Sequence, residues 1–336
     1  MSTVLSVKDL SVTYRATTFD VNAVRNVSFE VNRGEILALV GESGSGKTTI
    51  ALALMRLLPT NITIKGKIRF SGKDGNTIQN VLELSEEDLR RTGYRWGKIS
   101  IVFQGAMNSL NPLLKVKDHF IDTGKAHGIS KTRTIELAEQ LLEAVRLQPS
   151  RVLNSYPHQL SGGMKQRVMI ALALLLSPDV IILDEPTTAL DTLTQRQILE
   201  LIKDLRKRLD IGIIMITHDL SVVADVADKV LVIYRGYPME FGDTYSIYRK
   251  PYSPYTLILI NSFPSIGKRV TRLKASQILS NSPALKSRGC PLVGRCPYTS
   301  TECFEADMIL KEIRGGHFSS CVKAETEMMN RGESNE

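Results

Sequence analysis

The residues best suited to chemistry form one run, Gly41-Glu42-Ser43-Gly44-Ser45-Gly46-Lys47-Thr48, followed by Thr49. Glycines at 41, 44 and 46 let a backbone wrap a phosphate chain where a Cβ would clash, and successive N–H groups then face the anion. Lys47 is placed to neutralise the outer phosphates, and the Thr48 hydroxyl to ligate Mg²⁺. The apolar run Ile36 to Val40 before it reads as a strand buried on both faces, and Thr49 to Met55 after it as a helix. A helix N-terminus carries partial positive charge, so strand, glycine-rich turn and helix in this order make a phosphate-binding loop.

Two further groups complement it. Val180 to Leu183 reads as a buried strand ending in Asp184-Glu185-Pro186. There Asp184 would complete the magnesium shell and Glu185 would polarise a water that attacks the terminal phosphate. Ser161-Gly162-Gly163 opens an apolar helix and forms a second anion site. One nucleotide needs a single such cradle, so two imply a head-to-tail dimer in which each subunit offers Ser161-Gly162-Gly163 to the nucleotide of the other.

The elements that must position these groups read as an α/β fold. Val4 to Val40 has a β pattern, with hairpins and a turn at Asn32 to Glu35; Lys65 to Gly75 reads as another hairpin. Ser85-Glu86-Glu87-Asp88 reads as a capped helix start. A strand from Ile99 to Phe103 ends at Gln104. Strands stop over about 107–165, where Ile135, Ala138, Leu141, Leu142 and Val145 recur at helical spacing, a helical insertion. Strands return at Val180, Ile213 and Val230, alternating with helices as in a parallel sheet covered on both faces. The 336 residues exceed what one core usually serves. The reading divides them into a nucleotide-binding domain over 1–248 and a loop-rich extension over 249–336, with a polar tail from about Glu325.

A formal net charge of +8 suits ATP, nucleic acid or an anionic membrane surface, and includes the cluster Lys268 to Lys274. The longest apolar run, Val168 to Leu176, is too short to span a bilayer. The first residues show no basic head before an apolar stretch, so a cytoplasmic protein is expected.

Taken in order, these motifs resemble the ABC ATPase family. The resemblance implies a RecA-like parallel-sheet core with antiparallel β and helical subdomains, and roles position by position. Gly41 to Thr48 is similar to the Walker A loop, Gln104 to the Q-loop glutamine that helps hold Mg²⁺, and Ser161-Gly162-Gly163 to the signature. Asp184 and Glu185 match Walker B and the catalytic glutamate, Asp191 lies in the D-loop, and His218 is the switch histidine. Tyr14 resembles the aromatic residue that stacks on adenine, with Phe19 its rival.

Pro251-Tyr252-Ser253-Pro254-Tyr255-Thr256-Leu257 and the segment from Gly289 to Cys321 narrow the resemblance to oligopeptide and dipeptide importer ATPases. This implies a subunit on the cytoplasmic face of the membrane, a second ABC ATPase beside it, two transmembrane permease subunits and an extracellular solute-binding protein, with no nucleic acid. Gln104-Gly105-Ala106-Met107-Asn108 departs from the Gln-Asp-Pro-Met usual there. That leaves oligosaccharides open beside peptides as the solute.

All four cysteines fall in the extension, at Cys290, Cys296, Cys303 and Cys321. With few apolar residues around them, a metal staple is expected, either four-thiolate Zn²⁺ or a [4Fe–4S] cluster. Wide spacing favours the cluster, and the importer resemblance leans the same way. His317 reads as structural or supporting, not as a ligand.

Overall fold

The computed structural model describes residues 2–15, 19–105, 109–262 and 289–324. The start of the helical insertion at Met107, the departure at Ala106 to Asn108, the Lys268 to Lys274 cluster and the tail from Glu325 lie outside the described residues.

The chain opens with β1 (Thr3–Arg15) and β2 (Asp20–Asn32), an antiparallel pair, then β3 (Ile36–Val40), α1 (Lys47–Leu54), β4 (Ile62–Ser71) and β5 (Thr77–Ile78). Next come α2 (Glu86–Arg91), whose N-cap Ser85 accepts from Asp88 N–H, and β6 (Ile99–Val102). The helices α3 (Val116–Ala126), α4 (Lys131–Ala144), α5 (Pro149–Val152) and α6 (Gly162–Ala173) follow. The alternating part runs β7 (Val180–Asp184), α7 (Thr192–Leu209), β8 (Gly212–Thr217), α8 (Leu220–Val226) and β9 (Lys229–Tyr234). It ends with β10 (Tyr237–Asp243), α9 (Thr244–Arg249), α10 (Pro254–Asn261), β11 (Lys311–Arg314) and β12 (His317–Ser319).

These strands form a four-stranded antiparallel sheet, β2-β1-β4-β5, and an eight-stranded sheet, β11-β12-β10-β9-β3-β8-β7-β6. Strands β9, β3, β8, β7 and β6 are mutually parallel. Both faces of β3 are buried because its side chains alternate between two cores. Ile36, Ala38 and Val40 enter the one built with the helices, while Leu37 and Leu39 enter the one shared with the antiparallel sheet and α1. In α7 the buried stripe Ile198, Leu201, Ile202 and Leu205 has helical spacing.

Two expectations change. The turn at Asn32 to Glu35 closes no hairpin: it carries the chain from β2 in one sheet to β3 in the other. Nor does the extension lack internal support. Its strand β12 pairs with β10, β11 pairs with β12, and Leu292, Ala306 and Met308 are buried in the helix-side core. Glu240 on β10 is fully buried and stitches the parts together, accepting from the Tyr252 and Ser253 amides at 2.6 and 3.0 Å and pairing with His317 Nε2 at 2.7 Å. His317 is therefore structural.

Candidate nucleotide site

The cleft at the C-terminal ends of the parallel strands, about 520 Å³, is lined by Ser43, Gly44, Ser45, Gly46, Lys47, Thr48 and Thr49 from the loop. Gln104, Asp184, Glu185 and His218 line it from the ends of β6, β7 and β8. Parallel topology brings these together, because every strand delivers its last residues to the same edge. The loop needs its glycines at two points. Gly46 has φ +103°, and a Cβ there would lie 2.3 Å from the Ala23 carbonyl oxygen; a Cβ on Gly41 would lie 2.0 Å from that of Ile233.

Lys47 Nζ donates to the carbonyls of Gly41 at 2.7 Å and Glu42 at 2.9 Å. Burial pushes its pKa down despite Glu185 and Asp184 nearby. The Thr48 hydroxyl donates to Asp184 Oδ2 at 2.9 Å, while Asp184 Oδ1 is buried with no hydrogen-bond partner among the described residues. Burial raises the pKa of this carboxyl, aided by the charge of Glu185 and opposed by the Thr48 bond. An orphaned carboxylate oxygen beside a hydroxyl, at the foot of a phosphate cradle, is a donor set that fits Mg²⁺.

Glu185 has φ +53°, a left-handed conformation costly for a residue with a Cβ. Its carboxylate accepts from Thr188 Oγ1 at 2.7 Å and lies 2.8 Å from His218 Nδ1, so an ionised Glu185 requires the hydrogen on Nδ1. This gathering of Glu185, Thr188 and His218 fixes the carboxylate at the cleft wall.

The remaining residues lie apart. Ser161 caps α6 by accepting from Met164 N–H at 3.3 Å, with Gly162 and Gly163 in the first turn. Asp191 caps α7, accepting from Thr194 N–H at 3.0 Å and Thr194 Oγ1 at 2.6 Å. Ser161, Gly162, Gly163 and Asp191 are not among the described residues lining the cleft. Neither is Tyr14, which is half-buried against the antiparallel-sheet core with its hydroxyl 3.5 Å from Thr49 Oγ1. Phe19 is 67% exposed.

The metal staple is a correction. Cys290, Cys296, Cys303 and Cys321 line one small apolar pocket with Met239, Leu292 and Ala306. Among the described residues, however, no group of three or more His, Cys, Asp or Glu is arranged to hold a metal ion. Neither the [4Fe–4S] cluster nor Zn²⁺ is supported. Burial raises the thiol pKa of both Cys290 and Cys321 to about 11. The segment is held by its strands and core contacts instead.

Sequence reasoning missed Thr188, and it gave no role to Glu42, Tyr255 or Arg295. Glu42 pairs with Arg295 through both oxygens, at 3.0 and 3.2 Å, across 253 residues of sequence. No local pattern signals a partner that distant.

The fold and cleft define an α/β P-loop ATPase. Residues 24–188 match the ABC transporter family, and residues 239–303 match the oligopeptide/dipeptide transporter C-terminal region. The chain is 45% identical to the dipeptide transport ATP-binding protein DppD of Caldanaerobacter subterraneus over 90% of its own length and 91% of the relative's. It is 40% identical to the oligopeptide transport ATP-binding protein OppD of Escherichia coli, covering 97% and 94%. The dimeric structure of MJ0796, a bacterial ABC transporter cassette, superposes with a TM-score of 0.59 at 29% identity, over 71% of this chain and 98% of that one. The chain belongs to the ABC transporter ATPases, in the group bearing the oligopeptide/dipeptide transporter C-terminal region.

Proposed function

We propose that this chain is the ATP-hydrolysing subunit of an importer for dipeptides and oligopeptides. The relatives transport peptides by name, which favours peptides over oligosaccharides as the solute. Among the described residues no helix is long and apolar enough to cross a membrane. In this reading the chain sits at the cytoplasmic face beneath two permease subunits, beside a second ABC ATPase, and is supplied by an extracellular solute-binding protein.

The observation that carries the chemistry is the Thr48–Asp184 contact with Glu185 one residue further on. The loop amides and Lys47 bind the phosphates, with Lys47 exchanging its loop carbonyls for phosphate oxygens. Thr48, Asp184 and Gln104 would hold Mg²⁺, which would draw charge from the phosphate oxygens. Glu185, oriented by Thr188 and His218, aligns the attacking water and accepts its proton. Ser161, Gly162 and Gly163 face the nucleotide of the opposite subunit, and Asp191 lies at that interface. Tyr14 or Phe19 meets the base. Closure on ATP and reopening after hydrolysis would move the helical insertion and, through it, the permease.

Glu185→Gln keeps the shape and the Thr188 bond but cannot take a proton. It is expected to leave MgATP affinity within about twofold while slowing hydrolysis by two or more orders of magnitude. Hydrolysis near the wild-type rate would remove Glu185 from the mechanism.

A further inference from the structure

Glu42 is the one acidic residue in the loop from Gly41 to Thr48, and it lines the cleft that receives the phosphates. A carboxylate there repels the ligand unless something neutralises it. The neutralising group comes from the extension. Arg295 donates from Nη2 to Glu42 Oε1 at 3.0 Å and from Nη1 to Oε2 at 3.2 Å, and Nη1 also donates to the Tyr234 hydroxyl at 2.7 Å. Its guanidinium lies over the Tyr234 ring, and Tyr234 packs against Tyr255 with the rings tilted by 37° and their centroids 4.5 Å apart. The Tyr255 hydroxyl in turn accepts from the Glu42 N–H at 3.1 Å. Backbone and side chain of one loop residue are thus both held by residues from beyond β9, and the Arg295 fork fits the carboxylate in two-point geometry.

We propose that Arg295 is a positioning residue for nucleotide binding: it cancels the charge of Glu42 and fixes its rotamer, so that the C-terminal extension sets the affinity of the phosphate loop. This rests on the loop's reading as the nucleotide site. The pair is partly exposed, at 34% and 42% of the side chains, so the effect is moderate and screened by salt. Once Arg295 is removed, the bare Glu42 carboxylate faces the phosphates. The damage should therefore be reversed by removing Glu42 as well.

The test measures MgATP affinity by equilibrium titration of the full-length chain, beside thermal melting without nucleotide. Wild-type binding establishes the site itself; its absence would defeat the loop reading, not the Arg295 assignment alone. Arg295→Met is expected to weaken MgATP on the order of five- to tenfold, with the deficit shrinking at high salt. Arg295→Met combined with Glu42→Gln should recover most of the loss. Arg295→Lys, which keeps the charge but not the fork, should fall between wild type and Arg295→Met. A purely structural role would lower the melting temperature without recovery by Glu42→Gln. Wild-type affinity in Arg295→Met, or a double variant no tighter than the single, would overturn the proposal. If Arg295→Met fails to fold, Arg295→Lys with and without Glu42→Gln decides the same question: no loss, or a loss that Glu42→Gln leaves uncorrected, overturns it.

Discussion

The fold disfavours the ionised form of Asp184. Its side chain is buried at the end of β7, one oxygen is bonded by Thr48, and the other has no partner among the described residues. Burial raises its pKa, so the folded chain holds the proton more tightly than the unfolded chain does. The sign follows. Its stabilising contribution is present in acid and is lost as pH rises from the ordinary carboxylate value through the folded one. Once ionised, the carboxylate opposes folding until a cation compensates it. Asp184→Asn should accordingly raise the melting temperature of the nucleotide-free chain by a few °C at neutral pH, with a smaller gain near pH 4. The same change should abolish the Mg²⁺ dependence of ATP binding. Melting in chelator across pH, beside ATP titrations with and without Mg²⁺, checks both; a lower melting temperature at neutral pH would mean that the carboxylate is already compensated by Lys47 and Thr48.

The packing of α6 on α7 shows how a short motif serves two elements. A Cβ on Gly163 would lie 2.4 Å from Thr194 Cγ2, and Thr194 cannot turn away cheaply because its hydroxyl and amide both bind Asp191. Gly163→Ala should destabilise the chain by roughly 1–3 kcal/mol, reduced by the better helix propensity of alanine. Adding Thr194→Ser, which removes the clashing methyl but keeps the hydroxyl, should restore the loss; denaturant melts of the three variants decide it. At this scale the sequence was informative wherever a pattern was long or chemically singular. Ile36 to Val40 is apolar throughout because both its faces are covered, and Ser85 to Asp88 spells out a helix cap. It was silent where the partner is remote. The strands β11 and β12 have four and three residues, too few for periodicity, and His317 meets Glu240 across 77 positions. Four cysteines in such a segment suggested a staple, when pairing with β10 and burial of Leu292, Ala306 and Met308 already hold it.

For the whole molecule, the division of the motifs between two surfaces matters most. Glu42 to Thr49, Gln104, Asp184, Glu185 and His218 converge on one cleft, whereas Ser161 to Gly163 stand at the start of α6 and do not line it. If Ser161 served its own chain's nucleotide, its loss would weaken binding by the single chain. If it serves a partner's, the loss appears only in the assembled pair. Ser161→Arg is therefore expected to leave single-chain MgATP affinity within about twofold while reducing hydrolysis by at least about tenfold under conditions where the chain pairs with itself. Mixing makes the test sharper. A pair formed from one Ser161→Arg chain and one Glu185→Gln chain contains one composite site with both defects and one with neither. Equal mixing of the two inactive variants should then recover up to about one quarter of wild-type hydrolysis, since half of the pairs are mixed and half of their sites are intact. Recovery requires that Ser161 and Glu185 at one nucleotide come from different chains. A mixture as inactive as its components, under conditions where wild type hydrolyses ATP, would place both residues at the same chain's nucleotide and rule out the head-to-tail arrangement.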